Sequence, residues 1–383
     1  MYQLKTPSEV FGGDGSIKKI QDVIKKEEAK KVLLFTDKTI RLTGMVDRIL
    51  EELKHVHADF QIYDELVAEP GYQDMEKMVE EVREYQCDLI IALGGGSVMD
   101  AAKLYSLLKD AAYTVKDLMT DSMKGKKRIK SVMIPTTCGT GSEATCNSIV
   151  GIPEENTKQG IVNPEMIPDY VILDGSMIRG LPKHIVASSG VDALAHAVEC
   201  YTSLKATPLS DTYALASAKL IFNNIREAYQ DPENMEAKNN MMLGAFYGGT
   251  AISGSGTTAV HALAYPLGGK YHIPHGVSNA ILFAHVMEVN KYACQKQLVD
   301  ICNCINPELI RESNELKAQH VINEIKDVVK VTEIPTSLDK YGISGEDLEF
   351  LVQAGSQQKR LLNNNRKELS ISDIRCIYEK VLF

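Results

Sequence analysis

Aspartate and histidine at positions 192 and 196 are the first residues in this chain whose types and spacing suit metal chemistry. They lie in Gly190-Val-Asp-Ala-Leu-Ala-His-Ala-Val-Glu199, a good helix former with no proline. Helical residues four apart share a face, so the carboxylate and the imidazole point the same way. Val191, Leu194, Ala195 and Val198 are apolar, which predicts a buried helix. A buried carboxylate is costly without a partner. A divalent cation would satisfy it and take the imidazole as well, although a hydrogen-bonded core histidine is the commoner use of such a pair.

A second pair, His261 and His275, extends the pattern. His261 sits in Thr257-Thr-Ala-Val-His-Ala-Leu-Ala-Tyr-Pro266, and His275 in His272-Ile-Pro-His-Gly-Val277. Both segments are apolar or glycine-rich. Pro266 and Gly268-Gly269 predict the end of one helix, and Pro274-His-Gly276 the start of another. Histidines at such positions can converge in space. Three imidazoles and a carboxylate form a four-ligand site for a borderline divalent metal, with room for water or substrate. Two unrelated core histidines are the alternative.

Glycines supply the other chemical signal. Gly94, Gly95, Gly96 and Ser97 directly follow the apolar run Leu89-Ile-Ile-Ala-Leu93 and precede the helical stretch 98–109. Unobstructed backbone amides at a helix N-terminus suit a diphosphate; a plain tight turn is the alternative. Met99 stands where the dinucleotide fingerprint needs its last glycine, and no Lys-Ser or Lys-Thr follows as in a P-loop. Thr136, Thr137, Thr140 and Ser142 add hydroxyl and amide donors after another strand, though such clusters also make ordinary loops. Asp37 ends the strand beginning at Val32. There it can accept from an adenosine ribose and would repel a 2′-phosphate, or it can simply cap the following helix.

Together these segments resemble the iron-containing, or group III, alcohol dehydrogenases. Gly94-Gly-Gly-Ser-Val-Met-Asp100, Pro135-Thr-Thr-Cys-Gly-Thr-Gly-Ser-Glu143 and Pro274-His-Gly-Val-Ser-Asn-Ala280 occur in that family's order and spacing. The resemblance covers nearly the whole chain. It implies that Asp192, His196, His261 and His275 hold the metal, ferrous iron by resemblance, although the same donors suit zinc. It also implies that the glycine and threonine segments embrace a nicotinamide dinucleotide, with Asp100 in the first motif and Lys158 in the region of the family's cofactor lysine. Relatives that use NADP tend to carry a small residue where Asp37 stands, so NAD is expected over NADP. The implied reaction is hydride transfer between nicotinamide and a small alcohol or aldehyde polarised by the cation, in a cleft between two domains. Many relatives have a further histidine four residues after the third ligand. Here Tyr265 takes that place, and Tyr265 or the nearby His272 is the candidate for moving the proton. A homodimer is expected by resemblance.

The rest of the chain is consistent with these expectations. A length of 383 residues fits one large or two ordinary domains. Up to about residue 180, β-branched runs alternate with helical patterns, predicting an α/β dinucleotide-binding domain with a wound, mostly parallel sheet over residues 1–180. Strands are expected at 32–35, 60–63, 89–93, 132–134 and 170–173. Met75, Met78, Val79 and Val82 read as core packing. From 181 to 383 helical patterns take over, at 185–202, 207–229, 234–250, 256–265, 276–290 and 316–331, predicting an all-α metal- and substrate-binding domain. Asn363-Asn-Asn365 reads as a surface turn, and Ser370 as the cap of a last helix.

A formal charge of −9 argues against nucleic acid as a partner. No apolar run approaches the ~20 residues needed to cross a bilayer, and the N-terminus does not read as a signal peptide; a cytoplasmic protein is expected. Eight cysteines without a C-x-x-C pair point to reduced thiols, with Cys138 and Cys200 as packing residues. Three other functions fit parts of this pattern: a zinc-dependent glycerol-type polyol dehydrogenase, a dehydroquinate-synthase-like lyase, and a non-enzymatic binding module. The lyase should carry several Lys and Arg near the metal, whereas segments 190–203 and 256–280 contain only Lys270. Which alcohol or aldehyde is used is not written in any local motif.

Overall fold

Continuous apolar runs too short for helices become strands buried on both faces. The computed structural model, which describes residues 2–155 and 157–382, shows this in β2 (Lys31–Phe35). Leu33 and Phe35 turn to one face of the sheet and Val32 and Leu34 to the other, all with no exposure. The remaining strands are β1 (Glu9–Gly12), β3 (Asp59–Tyr63), β4 (Leu89–Gly94), β5 (Lys130–Pro135), β6 (Asn147–Ile152), β7 (Thr157–Val162) and β8 (Tyr170–Leu173). Six of them form one sheet in the order β1-β8-β5-β4-β2-β3, and every pairing in it is parallel. Helices Lys19–Lys26 and Met45–His55 cover one face, through Ile20, Val23, Ile49 and Leu53. Helices Tyr72–Glu81 and Gly96–Leu108 cover the other, where Met75 and Met78 lie in the core.

Three strands have no counterpart among the expected ones. β6 and β7 form a separate antiparallel pair, and their polar residues and Gly151 and Gly160 hide the strand signal. β1 is only four residues long and depends on its neighbour β8 for register.

The chain divides into two compact units. One is the α/β unit Lys5–Gly180, and the other holds the residues through Leu4 together with everything from Leu181. Every element of the second unit is helical. Its long helices are Lys183–Thr202, Pro208–Gln230, Met235–Ser255, Ala259–Tyr271, His275–Asn290 and Asn314–Val331. Helices Gln295–Ile305 and Leu348–Ser356 were not anticipated.

Two expectations need correction. The helix carrying His261 does not stop at Pro266 but runs on to Tyr271. The ring forfeits one backbone bond, yet Leu263, Ala264, Pro266 and Leu267 are all buried, and packing outweighs that loss. Asn364 and Asn365 do not form a surface turn. Both are buried: Asn364 donates to the Thr257 carbonyl at 2.9 Å, and Asn365 exchanges amide bonds with Asn290 at 2.8 and 3.0 Å. Ser370 does cap the final helix Ile371–Leu382, accepting from the Asp373 amide at 3.1 Å. Among the described residues no helix is both long and apolar enough to cross a membrane.

Candidate metal centre

Asp192 and His196 lie one turn apart in the middle of the helix Lys183–Thr202, with apolar neighbours that remove both from water. His261 occupies the first turn of Ala259–Tyr271, and His275 is the first residue of the next helix. Gly276 lets that helix start close to its neighbour, because any side chain there would overlap the Ser188 carbonyl. Proximity of the two backbones is what delivers His275.

The four side chains meet around one atom. From Asp192 Oδ1 the Nε2 nitrogens of His261, His275 and His196 lie at 3.6, 3.7 and 3.8 Å. The His196 and His261 rings stack with centroids 4.7 Å apart, and the His261 and His275 centroids are 5.2 Å apart. Asp192, His196 and His261 are at most 5% exposed, whereas the His275 side chain is 32% exposed and marks the open side. Ligand atoms of Asp192, His261 and His275 all fall within 4.8 Å of one another, a spacing that one cation can bridge. Burial alone would raise the Asp192 carboxyl. The imidazoles of His196, His275 and His261 and the Asn279 amide outweigh it and hold the group below the usual carboxylate range.

Two partners of this cluster were not anticipated from sequence. Glu199, fully buried two turns after Asp192, accepts from the Thr258 and Val260 amides at 3.1 and 2.7 Å and from the Thr258 hydroxyl at 2.7 Å. Its other oxygen meets His261 Nδ1. A carboxylate only accepts, so the proton stays on Nδ1 and Nε2 presents its lone pair toward Asp192. Burial would lower the His261 pKa; Glu199 and Asp192 outweigh it, and the net shift is upward. Asn279, one turn after His275, donates from Nδ2 to Asp192 Oδ1 at 2.7 Å and lies 3.2 Å from Nε2 of both His261 and His275. Three lone pairs therefore converge on one point. With His196 alongside, the cluster offers three nitrogen donors and one carboxylate, which fits a borderline divalent ion such as iron or zinc.

Tyr265 lies one turn beyond His261, its ring centroid 6.3 Å from that of His275. Burial pushes its phenol up, and the positive charge of Arg360 only partly offsets this. The phenol is therefore a donor at neutral pH, not a base. His272 is exposed and caps the helix in a left-handed conformation, φ 54°.

In the α/β unit the glycine segment forms the turn from strand to helix. β4 ends at Gly94, Gly95 precedes the helix, and the helix starts at Gly96, where a Cβ would meet Thr140 Cγ2 at 2.8 Å. Strand β5 delivers Thr136 and Thr137 alongside, with the Thr136 amide donating to the Gly94 carbonyl at 3.0 Å. The hydroxyl of Thr140 accepts from the Ser142 amide at 3.2 Å. Asp100 points inward and ties the two segments together. It receives the Ser142 hydroxyl, the Ile149 amide at 2.8 Å and an ion pair from fully buried Lys103 at 2.9 Å. Lys103, a partner that sequence reasoning missed, also donates to the Ser142 carbonyl at 3.0 Å. Ser97 accepts from the Glu69 amide at 3.0 Å, and Lys158 pairs with the Glu69 carboxylate at 2.8 Å. Asp37 caps the helix Lys38–Leu42 by accepting from the Ile40 amide at 2.9 Å. Cys138 and Cys200 are fully buried, and burial pushes the Cys200 thiol up to about 12.

Residues 7–175 match the pattern of the iron-containing alcohol dehydrogenases, and residues 186–382 match the C-terminal pattern of the same family. The chain belongs to the iron-containing alcohol dehydrogenase family. It is an oxidoreductase acting on CH–OH groups. It is 35% identical to long-chain-alcohol dehydrogenase 1 of Geobacillus thermodenitrificans, over 96% of this chain and 93% of that one. It is 34% identical to 4-hydroxybutyrate dehydrogenase of Clostridium kluyveri, over 82% and 84%. A crystal structure of 1,3-propanediol oxidoreductase superposes with a TM-score of 0.94 at 28% identity, covering 100% of both chains. As an iron-containing alcohol dehydrogenase the chain has the anticipated fold class, a parallel α/β unit followed by an all-helical one.

Proposed function

We propose that this protein is an NAD-linked alcohol dehydrogenase and aldehyde reductase that uses one divalent metal, ferrous iron with zinc as a functional substitute, held by Asp192, His196, His261 and His275. One observation carries this reading. Three imidazole nitrogens from three helices stand within 3.8 Å of a single buried carboxylate oxygen. When bound, the cation supplies Lewis acidity toward the alcohol or aldehyde oxygen, and the nicotinamide accepts or returns the hydride. The chain's own residues supply the rest. Asp192 reduces the charge of the site, Glu199 fixes the His261 tautomer, and the apolar helices keep water from three of the four ligands. Tyr265 is the proposed proton donor beside His275, and His272 is the proposed rim residue through which that proton exchanges with solvent.

The α/β unit Lys5–Gly180 is the proposed dinucleotide-binding domain, and the helical unit the proposed metal and substrate domain. Gly94, Gly95, Gly96 and Ser97 offer their amides to the diphosphate, with Thr136, Thr137, Thr140 and Ser142 alongside and Lys158 neutralising charge. Asp100 holds the two segments in register. Asp37, at the carboxyl end of the strand, selects NAD over NADP. Homodimerisation is proposed through an open edge of the sheet, β1 or β3, and is checked by light scattering. A cytoplasmic location agrees with cysteines carried as thiols, no disulfide occurring among the described residues.

An alcohol and aldehyde panel with NAD or NADH, run on metal-free protein reloaded with iron, with zinc or with nothing, tests the proposal. Net, metal-dependent interconversion of NAD and NADH is expected. A lyase or a binding module would show none. Preference for vicinal polyols with zinc alone would instead support the glycerol-type reading.

A further inference from the structure

Glu69 holds a backbone conformation that its position disfavours on two counts. Its φ is 51°, in the left-handed region that side chains avoid, and it precedes Pro70, where a chain is normally extended. Among the described residues five others besides glycine share a positive φ: Glu28, His57, Asp110, His272 and Glu333. Each lies one or two residues past the end of a helix, where such a turn closes the last carbonyls. Glu69 closes no helix. It stands in the connection between β3 and the helix Tyr72–Glu81.

Contacts on several sides hold it there. The Glu69 amide donates to the Ser97 hydroxyl at 3.0 Å, which sets the residue against the first turn of the helix Gly96–Leu108. The Pro70 carbonyl accepts from the Gly151 amide at 2.9 Å. The Glu69 carboxylate meets the Lys158 ammonium at 2.8 Å, and the Lys158 side chain is only 13% exposed. Backbone strain persists where its surroundings impose it, and strained residues cluster at ligand clamps. Here the imposing partners include Ser97 and Lys158, both assigned above to the dinucleotide. An ammonium so covered needs an anion, and Glu69 supplies one from the protein itself.

We propose that Glu69 is a resident counter-ion of Lys158 that competes with the dinucleotide and so sets its affinity. Binding exchanges the Glu69 carboxylate for the anionic oxygens of the diphosphate, and the return of Glu69 to Lys158 favours release. This rests on the dinucleotide reading of the glycine turn and adds the residue that tunes it. Cofactor binding to the wild type trades one ion pair for another, so the net electrostatic gain is small. Salt screens both pairs alike, and affinity should vary little with ionic strength. The strained backbone keeps the resident pair weak enough to exchange, because Glu69 can relax toward the extended form once it lets go of Lys158.

The test is fluorescence titration of metal-loaded protein with NADH, and with adenosine, which carries no phosphate, as a competitor. Glu69→Gln keeps the shape and removes the charge. It is expected to lower the Kd for NADH by about three- to tenfold, to steepen the dependence of that Kd on salt, and to leave the Kd for adenosine unchanged. In a Lys158→Met background the same substitution is expected to change nothing, because the charge being competed for is gone. Unchanged or weaker NADH binding in Glu69→Gln overturns the assignment and leaves the dinucleotide reading standing. An equal gain for adenosine, or a gain that survives in Lys158→Met, overturns it as well. Wild-type protein that binds no NADH sinks both.

Discussion

Glu199 binds His261 through Nδ1, the ring nitrogen turned away from Asp192. The carboxylate is anchored by two backbone amides and a hydroxyl, so it cannot rotate away without abandoning buried donors. Such partners set ligand orientation as firmly as the ligands set the metal. Glu199→Gln keeps the shape but can present an amide N–H to Nδ1, which then favours the wrong tautomer. Metal affinity, measured by competition with a chelator, is expected to fall about 10–100-fold. An unchanged affinity would show that the contact only packs.

Asn279 places its amide nitrogen where the lone pairs of Asp192, His261 and His275 converge. A cation entering there must turn that amide aside and break a hydrogen bond to a charged group, a cost of roughly 1.5–3 kcal/mol. Asn279→Ala is expected to be less stable without metal, yet to bind zinc about tenfold more tightly. The rise in Tm on adding zinc should then be larger in the variant than in the wild type. A smaller rise would mean that the amide supports the bound ion.

Much of this centre was legible in the sequence. Asp192 and His196 announce themselves by helical spacing in an apolar run, and His261 and His275 by their apolar or glycine-rich settings. Glu199 was within reach of the same reasoning, since it is a lone acid on the buried face seven residues after Asp192. The strands of the sheet core were readable because both faces are apolar. β6 and β7 were not, because polar residues and glycines mask their alternation. Asn364 and Asn365 misled for a related reason: an asparagine run looks like a solvated turn until buried carbonyls and amides are there to receive it.

Asp37 separates two effects in one residue. Its carboxylate caps a helix through the Ile40 amide, and its charge is proposed to exclude a 2′-phosphate. Serine caps nearly as well as aspartate but is uncharged. Asp37→Ser should therefore leave Tm nearly unchanged while raising the kcat/KM ratio of NADPH to NADH by about tenfold or more. A ratio that stays fixed would leave only the cap.

Glu143 gives a pH-dependent prediction in the α/β unit. Burial pushes its carboxyl up to about 7, and its own backbone hydrogen bond and the Lys103 ammonium oppose this only in part. The folded state thus binds the proton more tightly than the unfolded chain, whose value is near 4.5. The contribution is fully present below pH 4.5 and is lost as pH rises through 7, amounting to up to roughly 3 kcal/mol. Glu143→Gln removes the titration. Its Tm, relative to wild type, is expected to climb between pH 4.5 and 7.5. Parallel Tm profiles over that window would contradict the assignment.

The central claim is that Asp192, His196, His261 and His275 bind one ion together. X-ray absorption at the metal edge of protein loaded with zinc or ferrous iron tests it most directly. The account predicts one ion per chain, a shell of three imidazole nitrogens and at least one oxygen at ~2.0–2.2 Å, and loss of that shell in His261→Ala. Sulfur in the shell, or an unchanged spectrum in that variant, would contradict it.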